Sequence, residues 1–326
     1  MKNEVICHEN SIDQYIPIGI SSCLLGEKVR YDGGHKLDRF ITDTLGRYFE
    51  WLPVCPEYEY GLPVPREPLH LVGRPESPRL ITTKTGIDHT EKMLKWAEKR
   101  LGELERETLC GFIFKSKSPS SGIGGVKVYT SSGIPSQRGV GIFGGAFMKR
   151  FPLIPVIDDG RLHNSQLRES FIESVFAFQR LQKLQKSRSI NDLVEFHTRH
   201  KLLMLAHSPI HYSALGQLVA GAKKVKRDAV FSAYTQGFME GMRLLATPKK
   251  NTNVLMHIAG YFKKLISSDE KQELLEVIEN YRTCRIPLIV PITLVKHYVR
   301  KYTVTYLEKQ HYLNPHPLEL MLRNHV

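Results

Sequence analysis

Short apolar runs punctuate the first half of the chain, and Gly-, Pro- or Ser-rich turns close them. Residues 16–22 predict a first strand. A polar turn at 30–35 leads to a predicted helix over 37–48, where Leu37, Phe40, Ile41, Thr44 and Leu45 recur at helical spacing. A second strand is predicted over 51–54, ending on Cys55, and a peripheral strand pair over 69–72 and 80–82. Residues 90–107 read as a helix, with Thr90 as N-cap and Met93, Trp96, Ala97, Leu101 and Leu104 on one face. A third strand, 110–114, runs into a Ser-rich loop. A Gly-rich stretch, a helix over 144–150 and a last strand over 153–157 follow. Strands alternating with helices predict a mainly parallel α/β layer. In such sheets ligands sit at the carboxyl ends of the strands.

From about residue 166 the period changes. Phe171, Val175, Phe178 and Leu181 are spaced for a helix, as are Leu193, Phe196, His200 and Leu203. Further helices are predicted over 211–223, 228–245, 252–266, 269–282 and 291–309. One strand-like run competes, 286–290, and prolines punctuate it. The fold class expected is an α/β domain over 1–160 followed by an all-helical domain over 161–326, with the boundary at 158–161.

Composition adds little to the fold and more to the setting. A chain of 326 residues has room for two domains. Its 41% hydrophobic and 24% charged residues are those of a soluble globular protein. The first 160 residues carry a net charge of +1 and the rest +12, with 10 of the 14 histidines in the second half. That asymmetry fits either a polyanionic partner, RNA or DNA, or a solvated basic surface. Cys7, Cys23, Cys55, Cys110 and Cys284 are odd in number and widely spaced, and the first residues are too polar for a secretory signal. A reducing cytoplasm is expected, without a disulfide framework. No apolar run approaches the 18 residues that mark a membrane span.

Three segments at predicted strand ends carry candidate chemistry. They are Ser21-Ser22-Cys23-Leu24-Leu25-Gly26, Cys55-Pro56-Glu57 with Gly61-Leu62-Pro63-Val64-Pro65-Arg66, and Ser118-Pro119-Ser120-Ser121-Gly122. Thiolates ligate iron–sulfur clusters, and a site that supplies three leaves one iron open as a Lewis acid. Here the first two segments offer thiols and the third a hydroxyl. Glu57 and Ser120 are the candidate catalytic pair. Ser22 and Ser118 are candidate donors to a nucleobase or anion, and Arg30, Asp32 and Arg66 candidate mouth residues. The plainer alternatives are cysteines acting as small hydrophobes, Glu57 capping a turn and Arg66 pairing with it structurally.

These three segments, in this order and with Arg30-Tyr31-Asp32-Gly33 between the first two, resemble the 2-thiouracil desulfurase (TudS-like) family over about 15–158. The resemblance implies a 4Fe–4S cluster on three cysteines, whose open iron takes sulfur from a thiolated nucleobase without net redox change. Carried over, Cys23 and Cys55 match ligands. The third ligand falls at Ser121, where this sequence departs. Cys110 precedes the third strand and lies roughly 15–20 Å from the loop at its end, so it is read as packing. Three readings of Ser121 stay open: ligation through oxygen, a binding module without a cluster, and an introduced Cys→Ser change.

The helical half concentrates polar residues at Phe196-His197-Thr198-Arg199-His200-Lys201 and at His207-Ser208-Pro209, with His211 beyond. Histidines one turn apart can bind a metal, but no carboxylate lies between them, so core, surface or anion-pocket roles are preferred. Basic residues and tyrosines interleave from Lys296 and His297 to Tyr306; the i, i+4, i+8 spacing of Tyr298, Tyr302 and Tyr306 favours core over base stacking. Residues 190–315 resemble the YbgA-type helical domain, which occurs alone or fused behind a desulfurase-like domain. Its polar positions His197, Arg199, His200, Lys201, His207, Asn253, His257, Lys296 and His297 are expected to converge on one pocket. The function expected is a desulfurase acting on a thiolated nucleobase or related small sulfur compound. The alternative is a cluster-free binding or regulatory module that contacts nucleic acid through the helical half.

Overall fold

The computed structural model describes residues 15–130 and 135–325; Cys7 lies outside them. The chain divides into two compact units, Met1–Phe147 and Met148–Val326. The division falls ahead of the Asp158-Asp159-Gly160-Arg161 stretch.

In chain order the first unit runs β1 (Ile16–Ser21), β2 (Phe49–Val54), α1 (Pro56–Glu59), β3 (Leu69–Arg74), β4 (Ser77–Thr82), α2 (Thr90–Arg106), β5 (Gly111–Phe114), β6 (Val126–Tyr129), β7 (Pro135–Gly139) and α3 (Ile142–Arg150). β1 lies between β2 and β5 and is parallel to both. The expected strand pair is the β3–β4 hairpin. It belongs to a second sheet in the order β4-β3-β6-β7, which sequence reading missed. Val126 and Val128 are buried and Lys127 is exposed, so β6 alternates, but it is only four residues long.

Two expectations need correction. Residues 37–48 form no α-helix. A π-helical turn, Phe40–Thr44, runs into a 3-10 turn, Leu45–Arg47. Asp38 Oδ1 accepts from the Phe40 and Ile41 amides at 3.0 and 3.3 Å and starts the turn. β-Branched Thr42 and Thr44, with Gly46, disfavour a regular helix. Thr90 does not cap α2; His89 holds the cap position, and Asp88 Oδ1 accepts from both the Thr90 amide and hydroxyl. The Thr90 hydroxyl also accepts from Leu80 N, tying α2 to β4.

An aromatic block fixes α3 on the parallel sheet. Phe112 and Phe114 of β5 stack with centroids 4.0 Å apart, and Phe143 and Phe147, one helical turn apart on α3, meet them edge-on or tilted. All four rings are fully buried. Each is worth roughly 2–3 kcal/mol in burial. The ring of Phe112 takes the space above Gly19: a Cβ there would lie 2.2 Å from Phe112 Cδ2.

The second unit is helical apart from β8 (Val156–Asp158). Its helices are α4 (Asp159–Leu162), α5 (Ser165–Ser187), α6 (Ile190–His207), α7 (Pro209–Ala220), α8 (Arg227–Met242), α9 (Pro248–Phe262), α10 (Ser268–Arg282), α11 (Ile289–Lys301) and α12 (Thr305–Glu308). Asn164, Ser189, Ser208, Thr247 and Ser267 each cap a helix through a side-chain oxygen. The strand-like run at 286–290 is not extended; α11 begins inside it. Pro287 lies in the turn ahead of α11 and Pro291 in its first turn, where its missing amide costs no helical hydrogen bond.

Burial drives four imidazoles of this bundle, His197, His200, His311 and His316, to their neutral form. It lowers His197 to about 4, His311 to about 3 and His316 to about 4, and takes His200 well below the usual value. The His200 Nδ1–H donates to the Phe196 carbonyl at 2.7 Å, and Nε2 accepts from Arg180 Nε at 3.1 Å. Unfolded, these rings protonate near 6.5. Between that value and about 4 the unfolded chain therefore binds more protons, and stability falls as pH falls. The melting temperature should drop by several degrees between about pH 7 and about pH 4.5; a flat profile would contradict neutral buried rings. For the first unit, Gly19→Ala should cost about 1–3 kcal/mol through overpacking on Phe112. Gly102→Ala, in the interior of α2 with open space around its Cβ, should instead stabilise by about 0.5–1 kcal/mol. Urea unfolding of the two variants checks the pair.

Candidate functional site

The register of the parallel sheet brings the three segments together. Ser21, the last residue of β1, pairs with Val54, the last of β2. Ile20 pairs with Ile113, one residue before the end of β5. Three chains therefore leave the sheet at one level. β1 enters a 3-10 turn, Ser22–Leu25, that carries Cys23 and closes on Gly26 at φ 95°. β2 gives way to Cys55, which precedes α1. β5 passes into Lys115 and the Ser118–Gly122 loop. Between them lies a cavity of about 230 Å³, lined by Ser22, Cys23, Arg30, Cys55, Glu57, Arg66, Ser118, Ser120 and Ser121. Small-molecule pockets usually run to about 300–1,000 Å³, so this one suits a single-ring ligand.

A buried ion pair organises the wall. Arg66 donates to Glu57 Oε2 through Nε at 2.9 Å and Nη2 at 2.6 Å. The side chains of Arg66 and Glu57 are 5% and 14% exposed, which keeps their attraction from solvent screening. Arg66 Nη2 also donates to the Val29 carbonyl at 2.9 Å. The other carboxylate oxygen, Oε1, accepts from Ser120 Oγ at 2.8 Å, and Ser120 Oγ lies 3.0 Å from Ser118 Oγ. The structural alternative for Arg66 is thus realised, and it also points the Glu57 carboxylate at the serine loop. Asp32 does not line the cavity. Its carboxylate accepts from the Gly34 amide and Arg30 and closes the turn there, contacts that hold it below the usual range.

Two glycines at the start of α3, Gly141 just ahead of it and Gly144 in its first turn, shape the serine loop, and sequence reading gave them no role. Gly141 N donates to the Gly122 carbonyl at 2.7 Å, and Phe143 N to the Ser120 carbonyl at 2.8 Å. The first turn of α3 thereby satisfies its free amides on the loop. A Cβ on Gly144 would lie 2.8 Å from the Ser121 and Gly122 carbonyl oxygens, so only glycine permits this approach. Lys115, Ser116, Lys117 and Tyr31 also line the cavity and were missed. The signal for the lysines was their place directly after a strand that was correctly read.

Cys23 is buried and Cys55 half-buried. Burial pushes the Cys55 thiol up to about 11; Glu57 and Cys23 act the same way, against the Tyr58 amide and Arg66. The thiol is therefore neutral at physiological pH unless a cation binds beside it. Ser121 is 4% exposed. Its amide donates to Ser118 Oγ, and its hydroxyl makes no hydrogen bond among the described residues. Cys110 sits at the opposite end of β5, with its amide on the Pro17 carbonyl, and does not line the cavity. Among the described residues no three His, Cys, Asp or Glu side chains gather as a metal site.

The polar positions of the helical domain occupy separate surroundings rather than one pocket. His197 meets the Tyr234 hydroxyl, His200 meets Arg180, and His207 meets Glu173. Arg199 pairs with Glu195, Lys201 and Lys296 are half-buried, and Asn253, His257 and His297 are exposed. Helical periodicity explains the scatter: these residues point to different faces of α6, α9 and α11. Tyr298 and Tyr302 donate to Glu273 and Glu270 at 2.8 and 2.7 Å, and Tyr306 stacks on Tyr261. These tyrosines serve the bundle.

A family model described as 2-thiouracil desulfurase matches residues 18–159, and one described as a protein of unknown function (DUF1722) matches residues 201–317. The chain is 34% identical over 158 residues to the uncharacterized protein YbgA of Escherichia coli (strain K12), covering 48% of this chain and 94% of that protein. It is 33% identical over 119 residues to the uncharacterized protein YbbK of Bacillus subtilis (strain 168), covering 35% of this chain and 78% of that protein. A solved structure, the [4Fe-4S]-dependent thiouracil desulfidase TudS, is 32% identical, covers 45% of this chain and 93% of that one, and superposes with a TM-score of 0.37. Thus the chain belongs to the 2-thiouracil desulfurase family in its first part and to the YbgA-like DUF1722 family in its second.

Proposed function

We propose that the first domain is a desulfurase that removes sulfur from a thiolated nucleobase or a related small sulfur compound bound in the strand-end cavity. The observation that carries this reading is the meeting of Cys23, Cys55 and the Glu57–Ser120 pair in one ring-sized space. In the family a 4Fe–4S cluster supplies an open iron that accepts sulfur. The donor set here fits that group in part. Cys23 and Cys55 are soft thiols on one wall, and the Ser121 oxygen is a harder donor at the third position.

The chain's own residues account for the rest of the site. Arg66 fixes the Glu57 carboxylate, leaving Oε1 to Ser120, so that a proton held at Ser120 Oγ can pass to Glu57 or to a ring atom in the cavity. Ser22 and Ser118 offer donors to ring heteroatoms. Lys115, Lys117 and Arg30 make the remaining wall positive. Cluster-free binding by the same pocket is the second reading, and the hydroxyl at Ser121 favours it.

Anaerobic reconstitution with iron and sulfide separates the two readings. Ser121→Cys should hold a full cluster and release sulfide from 2-thiouracil, and the unaltered chain should hold less iron and lose it faster. Failure of Ser121→Cys to retain iron would remove the desulfurase reading. Glu57→Gln in the reconstituted Ser121→Cys protein should lower kcat by about 10²–10⁴-fold with its iron content kept. An unchanged kcat would take Glu57 out of proton transfer.

A further inference from the structure

The polar groups of the strand-end cavity can meet a ring only at its edge. Glu57, Ser120, Ser22 and Ser118 offer hydrogen bonds to ring heteroatoms, and such bonds lie close to the plane of the ring. They leave its two flat faces uncovered. Among the described residues that line the cavity, Tyr31 alone carries an aromatic ring.

The main chain of Tyr31 is fixed while its side chain is free. Its carbonyl accepts from the Arg66 amide at 2.8 Å, and the Arg66 side chain in turn grips the Val29 carbonyl and Glu57. The turn that carries it closes as Gly33 N donates to the Arg30 carbonyl at 3.0 Å, with Gly33 at φ 74°. The Tyr31 side chain is left 41% exposed, and its hydroxyl makes no hydrogen bond among the described residues. One neighbour orients the ring. The Arg30 guanidinium carbon lies 5.4 Å from its centroid. Arg30 is itself held by Asp32, whose Oδ1 lies 3.3 Å from Arg30 Nε and accepts from Gly34 N at 3.0 Å. Asp32 does not line the cavity, yet through Arg30 it steadies a ring that does.

We propose that Tyr31 determines specificity at this site: its ring stacks on the flat face of the bound base. The cavity then selects planar, conjugated rings over saturated or acyclic compounds with the same heteroatoms. This rests on the reading of the cavity as a ring site and narrows its substrate class. Arg30 takes one face of the tyrosine, and the ligand takes the other. Stacking asks only for a π-face, so it is indifferent to which ring carbon bears sulfur; the groups at the edge decide that. A tyrosine on a rigid turn has two side-chain torsions to order, so the contact costs little conformational entropy.

Uracil and 5,6-dihydrouracil are the probes. Both carry the same two carbonyls and two N–H groups, but saturation of the C5–C6 bond puckers dihydrouracil and removes its conjugation. Neither contains sulfur, so neither is consumed. In NMR titrations of the full chain, uracil should bind about ten-fold more tightly than dihydrouracil. Tyr31→Leu should weaken uracil about ten-fold and leave dihydrouracil unchanged, which also reports an intact site. Tyr31→Phe should keep the preference of the unaltered chain. Equal affinity of the unaltered chain for the two ligands would overturn the proposal. So would undiminished uracil binding in Tyr31→Leu, an equal loss of both ligands there, or loss of the preference in Tyr31→Phe. Binding of neither ligand by the unaltered chain would remove the ring-site reading itself, and the proposal with it.

Discussion

The Glu57–Arg66 ion pair is the joint on which the first domain's cavity depends. Glu57 belongs to the segment after β2. Arg66 grips the Val29 carbonyl in the segment after β1, and the free oxygen of Glu57 takes Ser120 from the segment after β5. One buried carboxylate–guanidinium contact thus ties together three chain segments that are distant in sequence. Removing either partner would leave the other charged and poorly solvated, a cost of about 3–5 kcal/mol for a buried pair. Loss of Glu57 would also take away the side-chain bond that ties Ser120 to this joint.

Beneath that joint, backbone register and ring packing set the distances. The parallel pairing of Ser21 with Val54 places Cys23 and Cys55 on neighbouring strand ends. The Phe112–Phe114–Phe143–Phe147 block holds α3 against the sheet, and α3 holds the serine loop by its first amides. Packing of these rings therefore positions the chemistry; of the cavity thiols only Cys23 is itself buried with the core.

Much of this was legible in the sequence because the signals were local. Strand ends marked by Gly, Pro and Ser pointed to Cys23, Cys55 and Ser121, and periodicity separated the α/β part from the helical part. What escaped depended on tertiary context. β6 and β7 are short, and their sheet exists through pairing with β3. Gly141 read as part of a Gly-rich stretch and Gly144 as the start of a helix, and neither pattern shows that their function is to let another backbone come close. Asp32 read as a mouth residue, but a neighbouring amide claims it. In the helical domain, histidines dense in sequence diverged in space, since 3.6 residues per turn distributes them around the helix. Glu169 and Glu173 of α5 carried no sequence signal beyond an i, i+4 spacing common on any helix; Arg323, near the end of the described chain, pairs with both.

Position 121 shows how such a scaffold can change its chemistry. The contacts that fold its loop run through the backbone: its amide on Ser118 Oγ, and its carbonyl against Gly144. The side chain takes no part in them. Exchange of oxygen for sulfur there alters one atom and leaves those backbone contacts in place. A change of donor atom at this position therefore alters the chemistry of the cavity without asking the loop to refold.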